Sequence, residues 1–480
     1  MKLRQDNLIS YLTKHESNVL LINELGEFCS YAEILDLGTG KPYIETCRKL
    51  VFCLTDNDIG GLGGYLALVV SGAVPLMLGA STSPLQLQGL INSYKPRYIW
   101  LPESRKEEIA GAVCLDFFAG YCLLDINGPE IEINESLSLL MGTSGSTGSP
   151  KFVRLSHKNV LSNAQSIADY LELDSTDLPI TTLPPSYTYG LSIIHSHILV
   201  GATIAVTKKT FFDRSFWNFL SEVEATSFGG VPYHYEMLKK LRFTKMDLPS
   251  LKTLTQAGGR MNPELAEEFA NYCENSGRRF FIMYGQTEAT ARMSYLPSKR
   301  ATSKSASIGI AIPRGKFRLE SERGQVISDP DIVGELVYIG PNVSMGYAYG
   351  HDDLAKGDER QGVLRTGDLA KRDKDGDYYI EGRLKRFIKL FGNRVNLLDV
   401  ERLLFDAGYV VACVGQDDRL EIYLPAPSES QALQIKKLVI DTLKVALPGV
   451  AVYGIQELPY NESGKIQYSE LHSQMGTLLT

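Results

Sequence analysis

The 480-residue sequence lacks every short cysteine pattern: Cys29, Cys47, Cys53, Cys114, Cys122, Cys273 and Cys413 are odd in number, scattered and never spaced CxxC. That excludes a disulfide framework or cysteine zinc site and makes the reducing cytoplasm the expected compartment. No export signal is expected either, because Met1 to His15 carries charges throughout and has no apolar core before a small-residue cleavage site. There is no basic surplus: the formal net charge is −7, which argues against general attraction to nucleic acid or anionic lipid. Internal repeats, heptad arrays and low-complexity tracts are absent, and Pro425–Ser430 is only a short polar loop. One long uncharged run, Gly60–Ala80, has the length of a membrane span, but Gly72 and Pro75 break it into a helix followed by a strand. What remains, with 44% hydrophobic and 22% charged residues, is the composition of a globular protein long enough for several domains.

Apolar strand candidates alternate with helical stretches: Tyr98–Leu101, Leu137–Met141, helix Asn159–Leu171, Ile180–Leu183, helix Gly190–Leu199, Thr203–Val206, helix Phe216–Glu224 and Ser227–Gly230. This alternation predicts βαβ units, a mostly parallel sheet and an α/β fold class. From Gly334 the pattern turns to short strands punctuated by turns, and Lys371–Asp377 reads as one such turn with solvated charges. A basic stretch, Arg383–Lys389, precedes a region with its own apolar pattern. The boundary is placed there, giving a large N-terminal domain, 1–384, and a small α+β C-terminal domain, 385–480.

Four clusters carry chemistry. TSGSTGSPK, Thr143–Lys151, follows the strand candidate Leu137–Met141. Its glycines, Gly145 and Gly148, alternate with the hydroxyls of Thr143, Ser144, Ser146 and Thr147, so backbone N–H groups and hydroxyls can turn toward phosphate oxygens, with Lys151 adding charge. A Walker A loop is not matched, here or at Gly464-Lys465-Ile466. YGQTE, Tyr284–Glu288, ends an apolar run and places a carboxylate where magnesium could be held together with substrate phosphates. Asp368, in Arg365–Asp368, with Arg383 following, suits ribose hydroxyls. PYNESGK, Pro459–Lys465, presents Lys465 as a point charge on a polar loop. Taken singly, each has a bland alternative: a linker, a turn with a surface glutamate, a tight turn, a solvated lysine.

Together and in this order, with QAGGRM (Gln256–Met261), GELVYIGPNVSMGY (Gly334–Tyr347) and GRLKRFIKLFGNRV (Gly382–Val395), they resemble the AMP-forming adenylating superfamily of acyl-CoA synthetases, peptide-synthetase adenylation domains and beetle luciferases. The resemblance runs from about Leu137 to Leu471. It implies an acid–thiol ligase that uses ATP and Mg²⁺ to make an acyl-AMP, releases pyrophosphate, and passes the acyl group to CoA or a carrier-protein phosphopantetheine. It further implies that Thr143–Lys151 holds the β- and γ-phosphates, that Gly258 and Gly259 line the adenine and acyl pocket, that Tyr284 and Gly285 lie at the adenine, and that Thr287 contacts the α-phosphate. Glu288 would bind magnesium, Asp368 and Arg383 the ribose, and Lys465 would bridge carboxylate and phosphate during adenylation. Lys385 corresponds to the hinge, Lys389 to the segment brought in for thiol transfer, and Gly392 to the pantetheine channel.

The acyl pocket is expected beside Pro185–His197, with Tyr187, Tyr189, Ser192, Gly229, Gly230 and Met293 as candidates. No Asp or Glu occurs between Leu178 and Phe212, which disfavours a free α-amino acid because its ammonium would lack a partner. His195 and His197 face different ways on a helix and read as core or hydrogen-bonded rather than as a metal pair. Gly142 and Phe152 depart from the family's usual residues around the loop, and Val410–Leu424 is trimmed, so CoA and a carrier protein both remain open. An amine or hydroxyl acceptor, or a degenerate nucleotide-binding scaffold, are the competing functions.

Overall fold

In a computed structural model, residues 8–143, 151–390, 393–416, 418–443, 449–460, 466–471 and 476–480 are described. The chain divides into two compact units, Met1–Phe317 with Tyr338–Leu364, and Arg318–Val337 with Arg365–Thr480.

The first unit is built on two larger sheets. In the eight-stranded one, Leu137–Gly142, Val74–Gly79, Leu50–Thr55 and Tyr98–Pro102 run parallel at the centre. Antiparallel strands flank them, Phe152–Ser156 and Gly346–Ala348 on one side, Tyr121–Asp125 and Val113–Phe118 on the other. The five-stranded sheet has parallel Ser227–Gly230, Thr253–Gln256 and Arg279–Tyr284, then antiparallel Ser294–Leu296 and Ile310–Ala311. The expected mostly parallel sheet is therefore mixed: wherever a strand follows its neighbour by a short connection rather than a helix, the pair is antiparallel. Ile180–Leu183 forms no strand, only a bridge from Ile180 to Ala205.

The uncharged run becomes helix Ile59–Ser71 and strand Val74–Gly79. Asp58 caps the helix start by accepting from Gly61 N at 2.7 Å, and Gly72 ends it in the left-handed region at φ 81°. Gly64 lets the helix lie against the fully buried Trp100, since a Cβ there would fall 2.1 Å from the indole. Among the described residues no helix is long and apolar enough to cross a membrane. Helix His157–Leu171 starts from a reciprocal capping box between Ser156 and Asn159.

A second five-stranded sheet, most of whose residues belong to the second unit, has the order Val326–Ile327, Lys316–Glu320, Gly334–Ile339, Val363–Arg372, Tyr378–Arg383, so the β-rich section begins before Gly334. Its turn at Asp373–Asp377 is closed by Asp373, which accepts from the backbone of Asp375 and Asp377, and Asp377 is buried rather than solvated. Farther along, hairpin Phe387–Leu390/Asn393–Asn396 precedes a four-stranded sheet with helices Leu397–Asp406 and Glu429–Leu443. Glu401, accepting from Arg386 Nη2 and Cys413 N at 2.7 Å each, ties the start of this region to its core.

Candidate active site

Strands Leu137–Gly142 and Phe152–Ser156 pair antiparallel with Gly142 opposite Phe152. Ser144, Gly145, Ser146, Thr147 and Gly148 lie outside the described residues; Thr143 and Lys151 flank them. The Lys151 ammonium sits 3.5 Å from the centroid of the Tyr347 ring, and the Arg360 guanidinium 4.8 Å from the same centroid. Tyr347 is carried on the strand next to Phe152–Ser156, opposite Val153, and the fully buried Arg154 fixes it by donating from Nε to its carbonyl at 3.0 Å. From there the Tyr347 hydroxyl donates to Glu288 Oε1 at 2.7 Å. Burial and the Glu288 charge push the Tyr347 hydroxyl up to about 12, so it stays protonated and remains a donor at neutral pH.

Glu288 is placed by a compact reversal after strand Arg279–Tyr284. A 3₁₀ turn, Thr287–Ala289, is followed by Thr290 and Ala291 with φ of 57° and 94°. This left-handed pair costs conformational energy and is held by packing, because a Cβ at Gly285 would lie 1.5 Å from the Ala291 carbonyl oxygen. Only glycine fits at 285. Ser344 N donates to the Glu288 carbonyl at 2.9 Å, and Thr188 Oγ1 donates to Thr287 Oγ1 at 3.0 Å, joining the reversal to the start of helix Thr188–Val200. Beside it, Gln286 Nε2 donates to the Tyr284 hydroxyl at 3.3 Å.

The pocket candidates gather at the ends of the parallel strands. Gly258 has φ 88°, and a Cβ there would be 2.4 Å from the Tyr187 hydroxyl oxygen; Gln256 Nε2 donates to Gly259 O at 2.9 Å. Tyr189 donates to Thr255 O at 2.9 Å and lies where a Cβ at Gly229 would reach within 2.9 Å of its hydroxyl oxygen. Gly230 similarly faces Tyr235. Ser192 spends its hydroxyl on the Tyr189 carbonyl at 2.7 Å, yet lines a small, water-sized cavity with Asn163, Thr188, His195 and Thr290. Met293 is fully buried in the apolar cluster that also holds Tyr189 and Met283. The histidines are core groups: His195 Nε2 is 2.8 Å from the Tyr65 hydroxyl, and His197 Nδ1 is 2.7 Å from the Ile193 carbonyl.

In the second unit, Asp368 and Arg383 face each other across the antiparallel ladder, with Arg383 Nε donating to Asp368 Oδ1 at 2.6 Å. Asp368 is 2% exposed and follows Gly367 at φ 71° within strand Val363–Arg372, so the strand buries a carboxylate and pairs it at once. Lys385 falls in a 3₁₀ turn, Leu384–Arg386, and Lys389 in strand Phe387–Leu390 opposite Arg394. Gly392 and Lys465 lie outside the described residues.

Among the described residues no cluster of three or more His, Cys, Asp or Glu side chains could enclose a metal ion. Glu288 nevertheless fits magnesium, which needs only one or two carboxylates when phosphates complete its shell: Oε1 accepts from Tyr347, and Oε2 accepts no hydrogen bond from the described residues. Three contributors were not singled out from the sequence: Thr188, Tyr347 and Arg360. Tyr347 closes the quoted segment Gly334–Tyr347 and Thr188 falls within Pro185–His197, whereas Arg360 carries no local signal.

Known proteins share this architecture. A feruloyl-CoA synthase from an Amycolatopsis species is 27% identical over 364 residues, 73% of this chain and 73% of its own length. A 2-succinylbenzoate–CoA ligase from Bacillus cereus is 28% identical over 448 residues, covering 88% of this chain and 87% of the relative. The structure of o-succinylbenzoate CoA synthetase from Bacillus subtilis, solved with ATP and a magnesium ion, superposes with a TM-score of 0.76 at 20% identity, over 97% of this chain and 99% of that one. These are α/β enzymes of the acid–CoA ligase type. The model of the AMP-binding enzymes matches residues 51–348, well over half of the sequence, and the chain belongs to that family.

Proposed function

We propose that this protein activates a carboxylic acid with ATP, forming an acyl-AMP and releasing pyrophosphate, and then transfers the acyl group to the thiol of CoA or of a carrier-protein phosphopantetheine. The observation that carries this is the Lys151–Tyr347–Glu288 constellation: a cation at the edge of the glycine-rich loop and a carboxylate suited to magnesium, joined through one tyrosine.

In the first half-reaction a carboxylate oxygen of the acid attacks the α-phosphorus, and the bond to the β-phosphate breaks with its electron pair leaving on pyrophosphate. Two anions must meet, so the barrier is dominated by charge repulsion. Lys151, with the loop Thr143–Gly148, binds the leaving phosphates; Thr287 orients the α-phosphate; Lys465 bridges the two reacting anions. Magnesium, held by Glu288, neutralises phosphate charge when bound. Tyr284, Gly285, Gly258 and Gly259 enclose the adenine, and Asp368 with Arg383 receives the ribose hydroxyls. In the second half-reaction the thiolate sulfur attacks the acyl carbonyl and AMP departs with the bonding pair. Lys385 is the hinge between the two steps, dividing the chain at 384/385, and Lys389 and Gly392 serve the thiol step.

The acid has no free α-amino group, since Leu178–Phe212 offers no carboxylate to an ammonium. A cytoplasmic location accords with seven free thiols, five of them buried.

ATP–pyrophosphate exchange against short, long-chain, aromatic, hydroxy and amino acids tests the proposal. Exchange with a group of acids names the substrate class; silence across the panel, in protein that binds ATP, overturns adenylation in favour of a scaffold.

A further inference from the structure

Arg292, packed against the pocket candidate Tyr189, is a buried cation that the mechanism leaves unused. It is 2% exposed, and no carboxylate pairs with it among the described residues. Both of its side-chain donations come from Nη1, to the Tyr170 hydroxyl and the Met283 sulfur at 2.8 Å each, while Nε is buried with no partner. The guanidinium lies 4.7 Å from the centroid of the Tyr189 ring. A guanidinium taken out of water without a counter-ion is strongly disfavoured, so its retention calls for an anion supplied from elsewhere.

The backbone holds it there deliberately. The left-handed pair Thr290–Ala291 turns the chain inward just before Arg292, and the Arg292 carbonyl is pinned by Asn163 Nδ2 at 2.9 Å and Asn342 Nδ2 at 3.0 Å. The neighbouring imidazole of His197 is kept neutral by burial, and His195 likewise, so neither supplies nor competes for the charge. No acidic residue occurs on the Leu178–Phe212 segment that carries Tyr189.

Resting on the adenylation reading above, we propose that Arg292 determines substrate specificity by binding a second, distal carboxylate, so that the acid activated is a dicarboxylate. One carboxylate goes to the α-phosphate and the other to Arg292. A guanidinium suits this because its planar fork presents paired donors to a carboxylate.

The test compares a series of straight-chain diacids with monoacids of equal carbon number in ATP–pyrophosphate exchange, using wild type, Arg292→Met and Arg292→Lys. Wild type should favour its best diacid by at least about tenfold in kcat/KM. Arg292→Met should lose that preference, and Arg292→Lys should keep part of it. Exchange with no diacid preference in the wild type, or an unchanged preference in Arg292→Met, overturns the proposal; the wild-type ratio decides even if a variant misfolds. Protection against thermal unfolding by the same acids, without ATP, separates the two layers. Diacid protection dependent on Arg292 in a protein silent in exchange leaves the arginine site standing and removes adenylation; exchange without such protection or preference removes the arginine site alone.

Discussion

The hydroxyl of Tyr347 and the carboxylate of Glu288 are joined at 2.7 Å across 59 residues of sequence, with the Lys151 ammonium on the face of the same ring. The tyrosine thus sets the spacing between the ammonium and the carboxylate to which the proposal gives phosphate and magnesium. Glu288→Gln should lower pyrophosphate exchange by on the order of 100-fold through loss of the charged ligand. Tyr347→Phe removes one hydrogen bond to a charged group and should cost about tenfold. Comparison of exchange rates at saturating and limiting magnesium checks both: the Glu288 defect should deepen when magnesium is scarce.

Gly285→Ala should damage folding and activity together. Its Cβ would collide with the Ala291 carbonyl, a backbone atom that cannot rotate away, and relief must open the Thr287–Ala291 reversal. A loss of about 1–3 kcal/mol is expected, read as a lower urea midpoint. An unchanged midpoint would mean that the reversal is looser than its geometry indicates.

Asp368→Asn removes the charge from a buried carboxylate and the ion pair with Arg383. If this pair receives the ribose, KM for ATP should rise about tenfold, with a smaller effect on KM for the acid. Steady-state kinetics with each substrate varied in turn distinguishes this from general damage.

Lys465→Ala should slow acyl-AMP formation by on the order of 10²–10³ and leave ATP binding intact. Lys385→Pro should impair thiol transfer more than adenylation, because a fixed φ opposes rotation at a hinge. Single-turnover assays of the two half-reactions separate these expectations; equal loss in both steps from Lys385→Pro would remove the hinge.

Stability should fall on the acid side of neutrality. Burial lowers His195, His197 and His234 to about 4 each, from an ordinary value of 6.5. Unfolding lets each imidazole take up a proton below about pH 6.5, so their contribution is complete above that value and is lost as pH falls toward about 4. Each imidazole contributes on the order of a few kcal/mol across that window. Urea midpoints between pH 7 and 5 should drop, and His195→Gln should drop less steeply.

The sequence made some of this legible. Strand Leu137–Gly142 ahead of the glycine-rich loop, the YGQTE turn, and Asp368 with Arg383 were readable because each is a local pattern of hydrophobic run, glycine and polar residue. Tyr347, Arg360 and Thr188 were not, since their partners lie far away in sequence and meet only when strands and helix starts converge. Arg292 carries no local signal, since its burial depends on the left-handed Thr290–Ala291 turn, a conformation that neither residue favours by itself. Ile180–Leu183 failed as a strand although its composition suits one, because only Ile180 and the adjoining Pro179 found partners.

Gly258 and Tyr187 share one parcel of space: the phenol oxygen stands where the first carbon of any side chain at 258 would have to go. Their sizes are therefore inherited together. A lineage that shortens Tyr187 opens depth without touching the backbone, whereas one that enlarges position 258 must first give up the tyrosine. On the reading that Tyr187 lines the acyl pocket, change in the acids accepted is expected to enter by the tyrosine, with the glycine following.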